Sequence, residues 1–329
     1  VSALRVALLG CGTVGSAVAQ QLIERGPVLA ERIGRPVELA GVAVRDGSRE
    51  RDVPGVGQQL FTEDAEGLVA EADLVVELMG GTEATGDLVR SVLARGIGVV
   101  TANKQLLAAR GPELHAVAAE SGAPLRYEAA VAAAIPVLRV VRESLAGDEI
   151  ETILGVLNGS TNYVLDTVDH SGVAFDHAVA EAGQLGYLEA DPTEDLEGID
   201  SAAKILILAR LAWGCDLTLE DVQTTGITGL TDEDFANARG TGSVIKLVAS
   251  ARRAGHGRDA SYELAVQPVA LDRTHPLAGL RGGGNGVVID TVSAGTLQLF
   301  GAGAGGPQTA SAVLGDLVEV ARAAAATRR

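Results

Sequence analysis

A two-domain α/β chain is what the sequence predicts, and three observations predict it. A chain of 329 residues is too long for one small core. In its first part, apolar runs at Leu4–Leu9, Val37–Val44, Ala72–Leu78 and Gly98–Val100 alternate with helical stretches, the pattern of a parallel sheet. Later, Thr152–Leu157, Tyr262–Val269, Val287–Val292 and Thr296–Phe300 read as alternating strands with helices beside them. The expectation is a parallel-sheet domain over 1–130, completed by 301–329. An α+β domain over 131–300 follows, its sheet largely antiparallel or mixed.

The run LRVALL reads as a buried parallel strand. Gly10-Cys11-Gly12-Thr13-Val14-Gly15 comes next, and then SAVAQQLIERG, an amphipathic helix expected to close at Gly26. This is G-x-G-x-x-G after a strand and opening a helix, the context a Rossmann-type dinucleotide site requires. The first glycine permits the turn, the second lets the backbone approach a pyrophosphate, and the third lets helix pack on strand. The phosphates would sit at the helix N-terminus, where free N–H groups favour anions. Cys11 reads as a small apolar filler.

The second strand runs into Arg45-Asp46, with Arg49 and Arg51 nearby. An acid there would hold a ribose 2′-OH, and an arginine suits a 2′-phosphate. The reading leans to NADP, and Asp46 keeps NAD open. The third strand leads into Met79-Gly80-Gly81-Thr82, a loop placed to pass over the cofactor. Leu88–Arg95 is helical. The fourth strand ends in Thr101-Ala102-Asn103-Lys104. Lys104 thus stands at a strand's carboxyl end, although such a lysine is more often solvated than functional. Glu128 lies in a small-residue run, where a satisfied buried carboxylate is the plainer reading. Asn158-Gly159-Ser160-Thr161 is a polar turn into a helix, and Asn or Ser there is a cap by default. Near the end, Gly301–Gly306 is a second glycine-rich loop opening a helix, from about Ala310 to Thr327.

Chemistry concentrates between Gly183 and Trp213. Glu189, Asp195, Asp200 and Lys204 stand in this stretch. From Ser201 to Trp213 the charged positions are Lys204 and Arg210 alone. A helix apolar nearly all round is a buried helix. Asp200 and Lys204 share one face at i,i+4. On the surface that would be an ordinary ion pair. In apolar surroundings it suits a proton donor beside carboxylates in a cleft.

A net charge of −17 makes nucleic acid and anionic membranes unlikely partners. No stretch approaches 18 uninterrupted apolar residues. Two cysteines give neither a disulfide framework nor a zinc site. A cytoplasmic protein acting on a small molecule fits these facts.

Taken together, GCGTVG, VTANKQLLA, NGSTNYVL, GYLEADPTEDLEGIDSAAK, HPLA and GAGAGGPQTASAVLGD resemble homoserine dehydrogenase from Arg5 to Ala321. The resemblance implies interconversion of L-aspartate 4-semialdehyde and L-homoserine with NAD(P), toward threonine, isoleucine and methionine. It implies Lys204 as general acid, Lys104 as a second cation near the oxygen, and Asp200 in both catalysis and substrate binding. Glu189 and Asp195 would join Asp200 on the substrate, with Ser160 and Tyr187 beside them. Gly10, Gly12, Thr13, Val14, Gly15, Arg45, Gly81, Lys104, Gly186 and Gly305 would contact the cofactor. Glu128 and the carbonyls of Val131, Ala133 and Ile135 would hold a monovalent cation, usually sodium. The second domain would be both catalytic and the dimerisation element of a homodimer.

Two departures from the family pattern stand out. Ala132-Ala133-Ala134 replaces glycines, and Pro307-Gln308-Thr309 replaces Pro-Thr. The long members' C-terminal regulatory domain is not expected here, nor is threonine feedback of that kind. Two other readings compete. One is a semialdehyde dehydrogenase using a cysteine, for which Cys215 is the candidate. The other is a dinucleotide-binding sensor without turnover.

Overall fold

The structure is a computed structural model that describes residues 2–255 and 257–327. The chain forms two compact units, Val1–Ala134 with Ala304–Arg329, and Ile135–Gly303. The divisions fall at Ala134/Ile135 and Gly303/Ala304, against 130/131 and 300/301 in the sequence reading.

The first unit begins with β1 (Leu4–Leu9), α1 (Thr13–Glu24), α2 (Gly26–Ile33) and β2 (Val37–Ala43). It continues with β3 (Phe61–Thr62), α3 (Ala65–Ala70), β4 (Leu74–Glu77), α4 (Glu83–Ala94), β5 (Gly98–Thr101), α5 (Lys104–Ser121) and β6 (Leu125–Arg126). The strands lie in the order β3-β2-β1-β4-β5-β6, and every pair is parallel. This is the doubly wound order of a dinucleotide fold, reversing between β1 and β4. The loops after those two strands therefore open at the switch point, where ligands bind in such sheets. Gly26 does not close α1. It opens α2 with Pro27 behind it, and proline is at home in a first helical turn.

The second unit holds α6 (Val137–Arg139), β7 (Ile150–Val156), α7 (Gly159–Ser171), α8 (Phe175–Gln184), α9 (Thr193–Leu196) and α10 (Ile199–Trp213). Then come β8 (Val222–Thr224), α11 (Asp232–Gly240), β9 (Ser243–Ala254), β10 (Ser261–Asp272), β11 (Gly284–Thr291) and β12 (Gly295–Ala302). The strand order is β12-β11-β7-β9-β10-β8. All neighbours are antiparallel except β10 and β8, so the sheet is mixed. One face, with Ile153, Leu247, Val266 and Ile289, is buried. The opposite face is covered less evenly and leaves Phe300 half exposed. The chain then returns to the first unit as α12 (Gly306–Thr327), whose Val313, Leu317 and Val320 join that core.

The central helix α10 is bounded by glycines at both ends. Gly198 and Gly214 take left-handed φ values of 79° and 62°, a conformation that costs glycine nothing. Between them Ile205, Leu206, Ile207 and Leu208 are buried, as the near-continuous apolar sequence requires. β9 carries no alternating signal, because its residues from Val244 to Ala249 are buried on both faces.

Candidate active site

In the first unit the site is made of main chain. Gly10 has φ 98°, and a Cβ there would lie 2.5 Å from the Leu78 carbonyl oxygen. A Cβ on Gly15 would lie 2.2 Å from the Gly10 carbonyl oxygen, so helix α1 can approach the turn only without one. Gly12 differs from both. Nothing lies within 4 Å of its Cβ position, and as N-cap of α1 it offers no side-chain cap. Open space before uncapped N–H groups, at Thr13 and Val14, is what a pyrophosphate needs. The residues fit the dinucleotide the motif implies.

A buried acid holds the loops around this turn. The Glu77 carboxylate, at the end of β4, accepts from Met79 N (2.7 Å), Gly80 N (3.2 Å) and the Thr101 hydroxyl (2.5 Å). Burial pushes its carboxyl up from the ordinary range. Asn103 Nδ2 donates to the Gly81 carbonyl at 2.7 Å, while its Oδ1 accepts from Leu106 N as the cap of α5. Lys104, half-buried, is the first residue of that helix. The loops after β4 and β5, the second leading straight into Lys104, are thus tied together through Glu77, Thr101 and Asn103. Sequence reading missed Glu77, and its signal was a lone acid inside LVVE.

Arg45 is exposed just past β2. Asp46 turns its carboxylate onto its own loop, accepting from Ser48 Oγ (2.6 Å), Ser48 N (2.9 Å) and Arg49 N (3.2 Å). The Ser48 hydroxyl holds this carboxyl below its usual range. Arg51 braces the same loop through the carbonyls of Asp46 and Arg49.

Glu128 is buried, and its N–H donates to Asp316 Oδ2 at 2.7 Å. Val131 is extended, and Ala132 and Ala133 take left-handed φ values of 56° and 43°. Ile135 begins the other unit, where its carbonyl accepts from Val137 N. Gly305 has φ 117°, and its carbonyl accepts from Thr309 N in the first turn of α12.

The second unit's site is made of side chains. Lys204 Nζ donates to Asp200 Oδ2 and to the Leu157 carbonyl, each at 2.7 Å. The lysine side chain is 12% exposed and the aspartate 5%. Asn158 caps α7 by accepting from Thr161 N. Its Nδ2 donates to Asp195 Oδ1 (2.6 Å) and Asp200 Oδ2 (2.9 Å). One amide therefore joins two carboxylates, and one of these carries the lysine. The sequence marked Asn158 only as a cap.

Ser160 Oγ donates to the Tyr187 carbonyl at 2.6 Å. The Tyr187 ring stacks on Tyr163, centroids 4.3 Å apart. Gly186 and Glu189 lie exposed in the loop between α8 and α9. Glu189 makes no hydrogen bond to another described residue. Asp195, Asp200 and Lys204 thus come together, Ser160 and Tyr187 form a second pair, and Glu189 stands apart. Burial pushes the Cys215 thiol up, opposite to what a cysteine nucleophile needs.

Comparison with known proteins follows this geometry. The family model described as homoserine dehydrogenase matches residues 136–318. The one described as homoserine dehydrogenase, NAD binding domain, matches residues 10–128. Homoserine dehydrogenase of Corynebacterium glutamicum is 44% identical over 324 residues, covering 98% of this chain and 72% of that protein. A homoserine dehydrogenase crystal structure from Thiobacillus denitrificans superposes with a TM-score of 0.93 at 40% identity, covering 99% of this chain and 74% of that one. A hyperthermophilic archaeal homoserine dehydrogenase in complex with NADPH gives 0.81 at 29% identity, covering 97% and 98%.

Proposed function

The chain belongs to the homoserine dehydrogenase family, and from that membership we propose how its own residues perform the reaction. It is an oxidoreductase with a nicotinamide dinucleotide-binding domain. The reaction is the interconversion of L-aspartate 4-semialdehyde and L-homoserine, in the cytoplasm, toward threonine, isoleucine and methionine. When bound, the nicotinamide supplies or removes the hydride at C4 of the substrate.

Lys204 is the general acid in the reducing direction. Two of its three N–H groups are held by Asp200 and Leu157, which leaves one for the aldehyde oxygen. As C4 becomes tetrahedral, the ammonium meets the growing negative charge and gives up that proton. In the oxidising direction the neutral amine takes the alcohol proton back. Asp200 holds the lysine in place, and Asn158 holds Asp200. This buried Asn158–Asp200–Lys204 chain is the observation that carries the reading.

The substrate's ammonium goes to carboxylates. Asp195 and Asp200 are near each other through Asn158, and exposed Glu189 is uncommitted. Ser160 and Tyr187 line the same substrate. Lys104 serves as the second cation near the oxygen. Gly10, Gly12, Thr13, Val14, Gly15, Gly81, Lys104, Gly186 and Gly305 contact the dinucleotide. NADP is favoured over NAD, because Asp46 spends its carboxylate on its own turn while Arg45 is exposed. Glu128 and the carbonyls of Val131, Ala133 and Ile135 would hold a monovalent cation, usually sodium. A carboxylate with main-chain carbonyls is an oxygen set, which suits a hard cation. The half-exposed Phe300 on the edge strand β12 supports a homodimer.

Oxidation of NADPH by L-aspartate 4-semialdehyde tests this directly. Lys204→Ala should lose about 100-fold or more in kcat, the range of a lost general acid. Full rate in that variant would remove Lys204 from the chemistry. Titration with both dinucleotides should favour NADP, and Arg45→Asp should move the preference toward NAD.

A further inference from the structure

A second lysine of the same unit has no part in that reaction. Lys246, in the middle of β9, is 2% exposed. Its Nζ donates to Asn162 Oδ1 at 2.8 Å and to the Leu280 carbonyl at 2.6 Å. Both partners are neutral. Asp166 and Asp169 act on it from beyond ion-pair distance, with Arg281 opposing them. A cation buried against neutral oxygens costs stability, and methionine would fill the same space more cheaply. Fold stability therefore does not account for it.

What the ammonium does is orient an amide. With Oδ1 facing Lys246, Asn162 turns Nδ2 to the carbonyls of Gly282 (2.7 Å) and Gly284 (3.2 Å). Asp166, one turn further along α7, accepts from Gly282 N at 2.7 Å and from Arg281 at 2.8 Å. The 280–284 turn is thereby fixed from the lysine, the amide and the acid together. Gly283 lies against Tyr187, for a Cβ there would come within 2.7 Å of the tyrosine ring. That ring is also stacked on Tyr163, and the Tyr187 carbonyl is held by Ser160.

We propose that Lys246 is a positioning residue for the amino acid substrate: through Asn162 it sets the 280–284 turn as the wall on which Tyr187 rests. The proposal rests on the reading that Tyr187 lines the substrate site. Its effect falls mainly on the amino acid, because the contacts end on the Tyr187 ring and main chain and none belongs to the Gly10–Gly15 turn. Gly186, a proposed dinucleotide contact, is next to Tyr187, so KM for NADP is read alongside.

Homoserine oxidation by the full chain tests it, with KM measured for each substrate. Lys246→Met should raise KM for homoserine about tenfold, with KM for NADP within about twofold of the parent and kcat largely kept. Asn162→Asp guards against a variant that simply fails to fold. It gives Lys246 a charged partner, which offsets the repulsion between the new carboxylate and the Gly282 and Gly284 carbonyls, and KM is read well below the variant's own thermal midpoint; it removes both donors to the turn. It too should raise the homoserine KM selectively. Unchanged homoserine KM in folded Asn162→Asp, or equal losses for both substrates, would overturn the proposal. Lys204→Ala in the same assay separates the two readings. If that variant loses its rate while Asn162→Asp keeps its KM, only the positioning role fails. If Lys204→Ala keeps its rate, the site itself was misread.

Discussion

In the proposed reading, the first unit's dinucleotide turn is built from backbone, and the second unit's proton donor is built from side chains. Gly10, Gly12 and Gly15 act by what they lack, while Lys204, Asp200 and Asn158 act by charge and hydrogen bonds. A backbone site is limited by space, and a side-chain site by the balance of charge in low dielectric. Substitutions in the two should therefore fail differently. Gly15→Ala puts a methyl 2.2 Å from the Gly10 carbonyl oxygen, and backbone has to move. About 3 kcal/mol of stability should go, seen as a lower urea midpoint. Gly12→Ala meets nothing within 4 Å and has an ordinary φ of −83°. It should keep the midpoint and still weaken NADPH binding about tenfold or more by fluorescence titration. A Gly12→Ala that binds normally would remove the phosphate from that loop.

The side-chain site contains its own contrast. Lys204 bonds a carboxylate and a carbonyl, whereas Lys246 bonds two neutral oxygens. Burial depresses Lys246 from 10.5 to about 8. Between pH 8 and 10.5 the unfolded chain then binds a proton that the folded chain has released. Stability contributed by this group must rise with pH across that window, and below pH 8 its penalty is constant. A shift of this size corresponds to about 3 kcal/mol. Urea unfolding of the parent and Lys246→Met at pH 7.5 and pH 10 checks this. The parent should gain about 2–3 kcal/mol on the variant at the higher pH. A difference that does not move would mean that Lys246 keeps its proton.

Asn158 joins helix cap to charge cluster, and the two roles separate. Asn158→Ala should cost about 1 kcal/mol as a lost cap and about 10–100-fold in kcat/KM, since two carboxylates lose their shared donor. Asn158→Ser keeps a capping oxygen but has no amide for Asp195 and Asp200. It should recover the stability and not the rate. Recovery of both would reduce Asn158 to a cap.

Much of the first unit was legible because its rules are local. A glycine pattern between strand and helix states its own geometry, and β1 runs from Leu4 to Leu9 as expected. Glu77 was not legible, because its partner Thr101, 24 residues on, meets it only after the parallel strands pair. In the second unit, α10 announced itself by apolar residues on every side. β9 did not, since a strand buried on both faces loses its alternation. Lys246 and Asn162 lie 84 residues apart, and no local spacing could join them. Asp195, Asp200 and Lys204 could be read together because the sequence already places them close. The Asn158 amide that donates to the two carboxylates comes from the turn that caps α7.

The smallest expected effect tests where the backbone site uses alanine in a glycine conformation. Among the described non-glycine residues, Ala132 and Ala133 alone have positive φ. Ala130, two residues earlier, is 3% exposed against 1% for Ala132, so the two methyls are buried alike. Removing either methyl loses up to about 0.8 kcal/mol of burial and frees the unfolded chain by about 0.4–1 kcal/mol. Only at Ala132 does glycine also relieve about 1–2 kcal/mol of left-handed strain. Ala130→Gly should thus cost roughly 1–2 kcal/mol and Ala132→Gly close to nothing, by the sum of these terms. The gap between them in urea unfolding measures the strain. Equal losses would mean that the turn at Ala132 carries none, and that the glycines usual in the family are there for some reason other than conformation.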